Sequence, residues 1–163
     1  VRVPQTNLLG AEGRGFEYLG SNLAQERLWV AVTGLAAAEA ALTWTVDYVK
    51  ERTAFGQSIA GFQNTKFVLA DVSTEIEVTR PFVEQCIMEL NEGRLTPAQA
   101  ARAKLWGSEI QNRIIDQCLQ LFGGNGYTME YPIGQAYIDA RISPIYAGTN
   151  EIMKTIISKD VLS

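Results

Sequence analysis

Acid–base chemistry in this chain of 163 residues must rest on Glu, Asp, Lys or Tyr side chains or on a cofactor, because the chain contains no histidine. That composition removes the commonest general base of proteins and most zinc and di-iron sites. Glu26 is the strongest candidate, since it lies between Leu23 and Leu28 and would border the apolar face of a helix. A carboxylate that is partly buried at such an edge is a better base near neutral pH. The triplet 25–27 also fits a charged patch that is simply solvated.

Arg52 and Phe55 lie where a helical pattern gives way to a glycine turn, and together they could bind a planar ligand that carries phosphate. A guanidinium group binds pyrophosphate through two parallel hydrogen bonds, and an aromatic ring beside it can cover a planar ring. The simpler interpretation is a solvated arginine that interacts with the dipole at a helix end, with Phe55 in the core. These residues alone favour that simpler interpretation.

Two glycine-containing segments could offer backbone amides to a ligand. Residues 120–126, with the sequence QLFGGNG, follow a helical pattern and therefore differ from a Rossmann turn or a P-loop, both of which follow a strand. A helix C-cap followed by a turn explains this segment equally well. Gly148 and Thr149 open the last predicted helix, whose N-terminus suits a phosphate or a polarised carbonyl. Thr149 also fits an ordinary N-cap, and both functions are compatible.

Composition limits the partners and the compartment. The net charge is −4 and no basic run occurs, which argues against nucleic acid and anionic membranes as partners. The longest apolar run is far shorter than a membrane span, and no signal-peptide pattern opens the chain. Cys86 and Cys118 both fall in helical patterns and are expected to be small buried side chains in a reducing compartment.

These candidates need a helical scaffold. Helical periodicity predicts a first long helix that ends before Gly56, a second over 64–92, a third from Thr96 to Gly123, a short helix over 132–140 and a final helix from Thr149 to about Val161. Residues 1–4 alternate like the end of a strand. We therefore predict an all-α fold, an antiparallel four-helix up-and-down bundle. The apolar stripes of the three long helices are expected at Leu28, Val32, Leu35, Leu42, Val46 and Val49; at Leu69, Val72, Ile76, Val83, Ile87 and Leu90; and at Ala103, Trp106, Ile110, Ile114, Cys118 and Leu121.

In combination, the motifs become specific. The sequence carries QERL at 25–28, RTAFGQ at 52–57, QLFGGNGY at 120–127 and PIYAGTNEIM at 144–153. In this order and spacing they resemble the C-terminal helical domain of the acyl-CoA dehydrogenases, most closely the long-chain or isovaleryl branch. The resemblance implies that residues 1–15 are the end of a preceding β-domain with its linker and that residues 16–163 are the C-terminal helical bundle domain.

The resemblance also implies a mechanism. Many family members have a catalytic glutamate where this chain has Ala147, whereas the long-chain and isovaleryl branches have the base on the first long helix, at the position of Glu26. Glu26 would remove the α-proton of an acyl-CoA while the β-hydrogen leaves as hydride to flavin N5, giving trans-2-enoyl-CoA. The backbone amide of Ala147 would polarise the thioester carbonyl, Gly148 would face the thioester, and Arg27 would lie near the acyl-CoA.

FAD is the cofactor that the resemblance implies, in a site shared between subunits of a homo-oligomer. The implied FAD-binding residues are Arg52, Phe55, Phe62, Gln63, Gln120, Leu121, Phe122, Gly123, Gly124, Thr149 and Glu151. Of these, the residues from Gln120 to Gly124 would contact the adenine end of the FAD that the neighbouring subunit holds. Electron-transfer flavoprotein is the implied electron acceptor, and the bacterial cytoplasm or the mitochondrial matrix is the implied compartment.

Two other functions stay open. Ala147 motivates a non-catalytic bundle or partner subunit that binds FAD or acyl-CoA without turnover. A carboxylate-bridged metal site would suit the architecture, but the Glu-x-x-His pairs of such bundles are missing. Because half of the flavin pocket would come from the preceding domain, we expect this chain alone to fold but to be catalytically inactive.

Overall fold

The computed structural model describes residues 1–163 and is an all-α fold, as predicted. Three long helices, α1 to α3, pack together, and two shorter helices, α4 and α5, pack on α3. The last helix completes the four principal helices of the bundle, with α4 as an additional short one. A small hairpin of two strands, β1 and β2, connects the first two helices. The elements are α1 (Gly15–Glu51), β1 (Thr53–Ala54), β2 (Gln57–Ser58), α2 (Gln63–Asn91), α3 (Pro97–Phe122), α4 (Pro132–Ala140) and α5 (Asn150–Val161).

The closest approach in the bundle is between α1 and α3. Gly34 and Gly107 lie at this crossing, and a Cβ atom added at Gly107 would lie 2.7 Å from Cα of Ala31. Two facing backbones can come this close only where no side chain separates them. The crossing fixes the spacing of the two helices that carry most of the core. The largest buried cluster around it includes Leu28, Ala38, Val72, Ile76, Val83, Ile110, Ile114, Ile115, Cys118 and Ile133.

Local signals set the helix ends where the sequence predicted them. Thr96 caps α3 through a capping box, in which its hydroxyl accepts from the Gln99 amide and the Gln99 side chain accepts from the Thr96 amide. Gly123 ends α3 with a positive φ of +59°. Thr149 caps α5 by accepting from the Ile152 amide at 3.4 Å. Each of these positions was identifiable from its residue type alone.

The connection between α1 and α2 differs from the sequence prediction, because a short hairpin forms there. Thr53 pairs with Ser58 and Ala54 with Gln57, so Phe55 and Gly56 are the two turn residues. Both turn residues have positive φ, +52° and +82°, which is the type I′ geometry that suits the twist of a hairpin. The pairs are too short to show strand periodicity in the sequence.

Two side chains expected in the core are outside it. Phe55 is 97% exposed at the tip of the hairpin, so the simpler interpretation of a core phenylalanine is wrong. Trp106 is 40% exposed, because its indole N–H reaches the hydroxyl of Thr79 at 2.8 Å and the ring therefore lies at the edge of the core. The guanidinium of Arg113 covers this ring at 5.4 Å from its centroid. The positions of Phe55 and Trp106 depend on local geometry and contacts that the periodicity of the sequence does not predict.

The two cysteines are buried and free, as expected. Burial raises the pKa of both thiols, most directly by disfavouring the thiolate. Neither thiol is suited to nucleophilic chemistry in the folded chain.

The N-terminal residues do not form the strand that the sequence indicated. Residues 1–14 are exposed and contain one short 3₁₀ helix, Gln5–Asn7, and the strand expected at residues 1–4 is not formed because no neighbouring strand offers hydrogen bonds to it. By length and composition, α1 passes the test for a membrane-spanning helix, with a mean hydropathy of 1.3 in its most apolar window. Core helices of water-soluble proteins pass the same test, and α1 packs here against both α2 and α3.

Candidate functional site

The arginine and glycine motifs meet at the C-terminal end of α1, although they are about 70 residues apart in sequence. A groove of about 290 Å³ is formed there by Arg52 together with Gln120, Leu121, Phe122, Gly123, Gly124 and Asn125. The Arg52 side chain is exposed, and it forms no ion pair with another residue of the chain. A free guanidinium beside the glycine cluster is a donor set that fits the phosphates of a nucleotide.

Tyr48 holds the glycine cluster in place, and the sequence analysis did not identify it. Its ring stacks on Phe122 with the centroids 4.2 Å apart. Its hydroxyl donates to the Phe122 carbonyl at 3.2 Å and accepts from the side-chain amide of Asn125 at 2.9 Å. These contacts join α1 to the start of the glycine turn, so the groove has one fixed wall.

The hairpin presents further candidate residues beside this groove. Phe55 at its tip makes an edge-to-face contact with Phe62, with ring centroids 6.3 Å apart. Phe62 is half-buried and precedes α2, and Gln63 is the exposed first residue of that helix. A phenylalanine with positive φ is costly, by roughly 1–3 kcal/mol, and such strain is characteristic of functional positions.

A second site lies near the N-terminal half of α1, at the turn that precedes α5. Ala147 and Gly148 both have positive φ, +54° and +93°, and Thr149 then caps the helix. The backbone amides of residues 147, 148 and 149 have no hydrogen-bond acceptor within the chain. Consecutive free amides on a turn of this kind form a concave donor surface that suits an anionic or polarised oxygen.

Arg27 connects this turn to α1. Its side chain is 8% exposed, and its Nε atom lies 3.5 Å from the carbonyl oxygen of Ala147. Burial lowers the pKa of the Arg27 guanidinium, and the neighbouring Glu26 opposes that effect. The contact involves the main chain at position 147 and is therefore independent of the side chain there.

Glu26 is exposed in this chain, with only a long contact of 3.4 Å from the Asn22 side-chain amide to its carboxylate. The burial proposed from its apolar neighbours is therefore not provided by these 163 residues. Glu26 is nevertheless at the same end of the domain as the turn, because its neighbour Arg27 contacts Ala147. Its carboxylate forms no ion pair with another residue of the chain.

Lys104 and Asn150 form a buried polar pair behind the turn, which the sequence analysis also missed. The Lys104 ammonium donates to Oδ1 of Asn150 at 2.7 Å, and the Ser108 hydroxyl donates to the same oxygen at 3.2 Å. Lys104 is fully buried, and burial lowers the pKa of its ammonium. The signal in the sequence was a lysine within an apolar, alanine-rich stretch of α3.

An open groove borders the second site. It has a volume of about 1090 Å³ between α3, α4 and α5, and Thr149 and Glu151 lie on its wall. Hydrogen bonds from its own backbone amide and from the Thr149 hydroxyl lower the pKa of the Glu151 carboxyl group. No group of three or more His, Cys, Asp or Glu residues is arranged to hold a metal ion.

The two sites are far apart within one chain. Arg27 lies in α1 and Arg52 directly follows its last residue, so 25 residues at about 1.5 Å each separate them by about 37 Å. That distance is longer than an extended dinucleotide. The chain is therefore a helical domain with a groove lined by Arg52 and glycines at one end and a strained turn with free amides towards the other.

Comparison with known proteins assigns the family. Residues 13–162 match the family described as "Acyl-CoA dehydrogenase, C-terminal domain". The mitochondrial long-chain specific acyl-CoA dehydrogenase of Rattus norvegicus is 48% identical over 163 residues, which are 100% of this chain and 38% of that protein. This chain belongs to the acyl-CoA dehydrogenase family, as a C-terminal domain.

Solved structures agree with this assignment. An acyl-CoA dehydrogenase from Geobacillus kaustophilus superimposes with a TM-score of 0.93 at 46% identity, over 98% of this chain and 42% of that one. A chain from a structure titled for the electron transferring flavoprotein of Acidaminococcus fermentans superimposes with a TM-score of 0.91 at 41% identity, over 98% and 42% of the two chains. The chain thus spans about two fifths of the length of these relatives.

Proposed function

We propose that this chain is the C-terminal domain of an FAD-dependent acyl-CoA dehydrogenase that forms trans-2-enoyl-CoA, with Glu26 as the base that removes the α-proton. The observation that carries the proposal is the turn at 147–149, whose three free amides are held beside the helix of Glu26 by the contact between Arg27 and the Ala147 carbonyl. A carboxylate and a set of amide donors at one end of the domain are the two groups that deprotonation next to a thioester requires.

Three residues of this chain have separate roles in the proposed reaction. The Ala147 amide donates to the thioester carbonyl oxygen and stabilises the charge that develops as the α-proton leaves, an effect of roughly 3–4 kcal/mol per donor in comparable oxyanion sites. Glu26 accepts that proton, and Arg27 stabilises the carboxylate and fixes the turn. The flavin, when bound, accepts the β-hydrogen as hydride.

The methyl group of Ala147 supports the proposal that the base lies on α1. That group cannot accept a proton, yet the Ala147 amide is backbone and keeps its function. Exposure of Glu26 in this chain is compatible with a base whose pocket is closed by a preceding domain, to which residues 1–15 would lead. The long-chain relative at 48% identity supports the branch in which the base lies on the helix.

The flavin site is composite in this proposal. Arg52, Phe55, Phe62, Gln63 and residues 120–124 would hold the pyrophosphate and adenine end of one FAD, while Thr149 and Glu151 would lie along a different FAD at the other end of α1. The separation of about 37 Å between the two ends supports this division, because one dinucleotide cannot reach both. A homo-oligomer, dimer or tetramer, follows from it.

The substrate and the electron acceptor are proposed from relatives. The long-chain relative supports a long-chain acyl-CoA, and a branched short chain of the isovaleryl type is the competing substrate. The structural relative titled for an electron transferring flavoprotein supports that class of protein as the electron acceptor. A mitochondrial matrix or a bacterial cytoplasm is the compartment in which such a pair would work.

Replacement of the proposed base tests the mechanism. Glu26→Gln in the full-length flavoprotein should abolish bleaching of the flavin absorbance by acyl-CoA, while flavin content is retained. Glu84→Gln on α2, an exposed carboxylate remote from both sites, is the matched control and should bleach normally. Turnover by Glu26→Gln at the wild-type rate would remove Glu26 from the mechanism.

A non-catalytic partner subunit is the second candidate, and the exposure of Glu26 together with the methyl group at 147 favours it. Full-length wild-type protein that binds FAD and acyl-CoA but bleaches with no member of an acyl-CoA panel would support this alternative. The same panel identifies the preferred chain length if the protein is active.

A further inference from the structure

One face of α3 carries three polar residues at intervals of four, Lys104, Ser108 and Asn112. Residues four apart share a face of a helix, so these side chains form one row. Lys104 and Ser108 are buried, and Asn112 is half-buried. A buried polar row needs partners, because unpaired polar groups in a core are costly.

The row finds its partners at both ends of the segment that contains the amide turn. Before the turn, the side-chain amide of Asn112 donates to the Ala140 carbonyl at 3.0 Å and to the Ser143 hydroxyl at 3.1 Å. After the turn, Lys104 and Ser108 both donate to Oδ1 of Asn150. α3 therefore holds residues 140–150 at two points.

Hydrogen bonds within residues 140–150 connect the two anchored ends of this segment to the turn at 147–149. The Asn150 amide donates to the Pro144 carbonyl at 3.0 Å, which closes a short loop around Ala147 and Gly148. Asn150 is also the first residue of α5, directly after the Thr149 cap. A shift of Asn150 would thus move the free amides at 147–149.

A lysine in this place is not explained by stability. Its side chain is fully buried, and an apolar side chain of similar volume avoids the cost of transferring an ammonium group out of water. Glu151 and Glu109 favour the charged form of Lys104, and Arg27 opposes it. What the Lys104 amine does in this core is donate a hydrogen bond to Oδ1 of Asn150 at 2.7 Å.

We propose that Lys104 is a positioning residue, which acts through Asn150 to hold the amides of residues 147–149 in the geometry that the reaction needs. This inference rests on the proposed function for its effect on rate, but its effect on the loop is independent of that function.

The experiment compares Lys104→Met, Asn150→Ala and the double variant in the full-length flavoprotein. Lys159→Met, an exposed lysine of α5, is the matched control and should behave like wild type. Amide hydrogen exchange over residues 144–153 is measured first, because it reports the loop without substrate. Both single variants should exchange faster there than wild type, with flavin content unchanged.

The rate of flavin bleaching by acyl-CoA is the second measurement. Misplacement of the amides should lower the rate of bleaching at saturation by roughly 10- to 100-fold with little change in KM. The double variant should be no slower than the worse single variant, since both remove one contact. If Lys104→Met does not fold, Asn150→Ala is compared with wild type in both measurements instead.

Either of two results would overturn the inference: unchanged exchange over residues 144–153, or reduced stability with an unchanged rate per bound flavin. If wild-type protein bleaches with no acyl-CoA, the proposed function fails, and faster exchange in the variants still supports the positioning of the loop by Lys104.

Discussion

Replacement of Gly107 by alanine should push α1 and α3 apart. The new Cβ atom would lie 2.7 Å from Cα and 3.0 Å from Cβ of Ala31. Carbon atoms pack best at about 3.5–4.0 Å, so the two helices must separate locally by about 1 Å. The atoms met are backbone and a methyl group, neither of which can rotate away.

Two free-energy terms oppose each other in this variant. Overpacking of a core costs about 1–3 kcal/mol, whereas alanine is favoured over glycine in a helix interior by about 1 kcal/mol. Gly20→Ala isolates the helix-propensity term, because Gly20 lies in α1 with no atom within 4 Å of an added Cβ. The difference between the two variants should therefore equal the overpacking cost, about 1–3 kcal/mol.

Urea unfolding of the 163-residue chain, followed by far-ultraviolet circular dichroism, measures this difference. Thermal unfolding should separate the two variants by roughly 2–12 °C, at about 2–4 °C per kcal/mol for a domain of this size. Equal stability of Gly107→Ala and Gly20→Ala would refute the close packing of α1 against α3.

Two further predictions concern the strained hairpin and the buried lysine. Phe55→Asn should stabilise the chain by roughly 1 kcal/mol, because Asn-Gly is the preferred pair for a type I′ turn, and urea unfolding measures this effect. The same variant should weaken FAD binding by the full-length protein, which a flavin titration measures. The pKa of Lys104 is lowered in the folded chain. At a pH between this lowered pKa and the ordinary lysine pKa of about 10.4, Lys104 is protonated in the unfolded chain and deprotonated in the folded chain. The free energy of unfolding of wild type relative to Lys104→Met should therefore rise as the pH increases towards about 10. A difference that does not change with pH in urea titrations would contradict this prediction.

The sequence predicted the helix ends, which depend on local interactions. Thr96, Gly123 and Thr149 fixed helix ends because capping depends on a residue and its near neighbours. These helix ends need no knowledge of distant contacts. The motif residues around Arg52 and Gly123 line one groove, although the sequence alone did not indicate that they would meet.

Long-range contacts explain why the sequence did not predict the positions of Trp106, Lys104 and Tyr48. Trp106 fitted the α3 stripe by spacing, but its bond to Thr79 on another helix holds it at the edge of the core. Lys104 was hidden because its partner Asn150 is 46 residues away, and Tyr48 because its partner Phe122 is 74 residues away. Periodicity reports which face of a helix is apolar and cannot report which polar residue the opposite element supplies.

The contact of Arg27 with the carbonyl of Ala147 has an evolutionary consequence. Since the guanidinium recognises the peptide group alone, the side chain at that position can be exchanged without rebuilding the scaffold. Residue 147 can thus vary in evolution while the main-chain contact between α1 and the turn is retained.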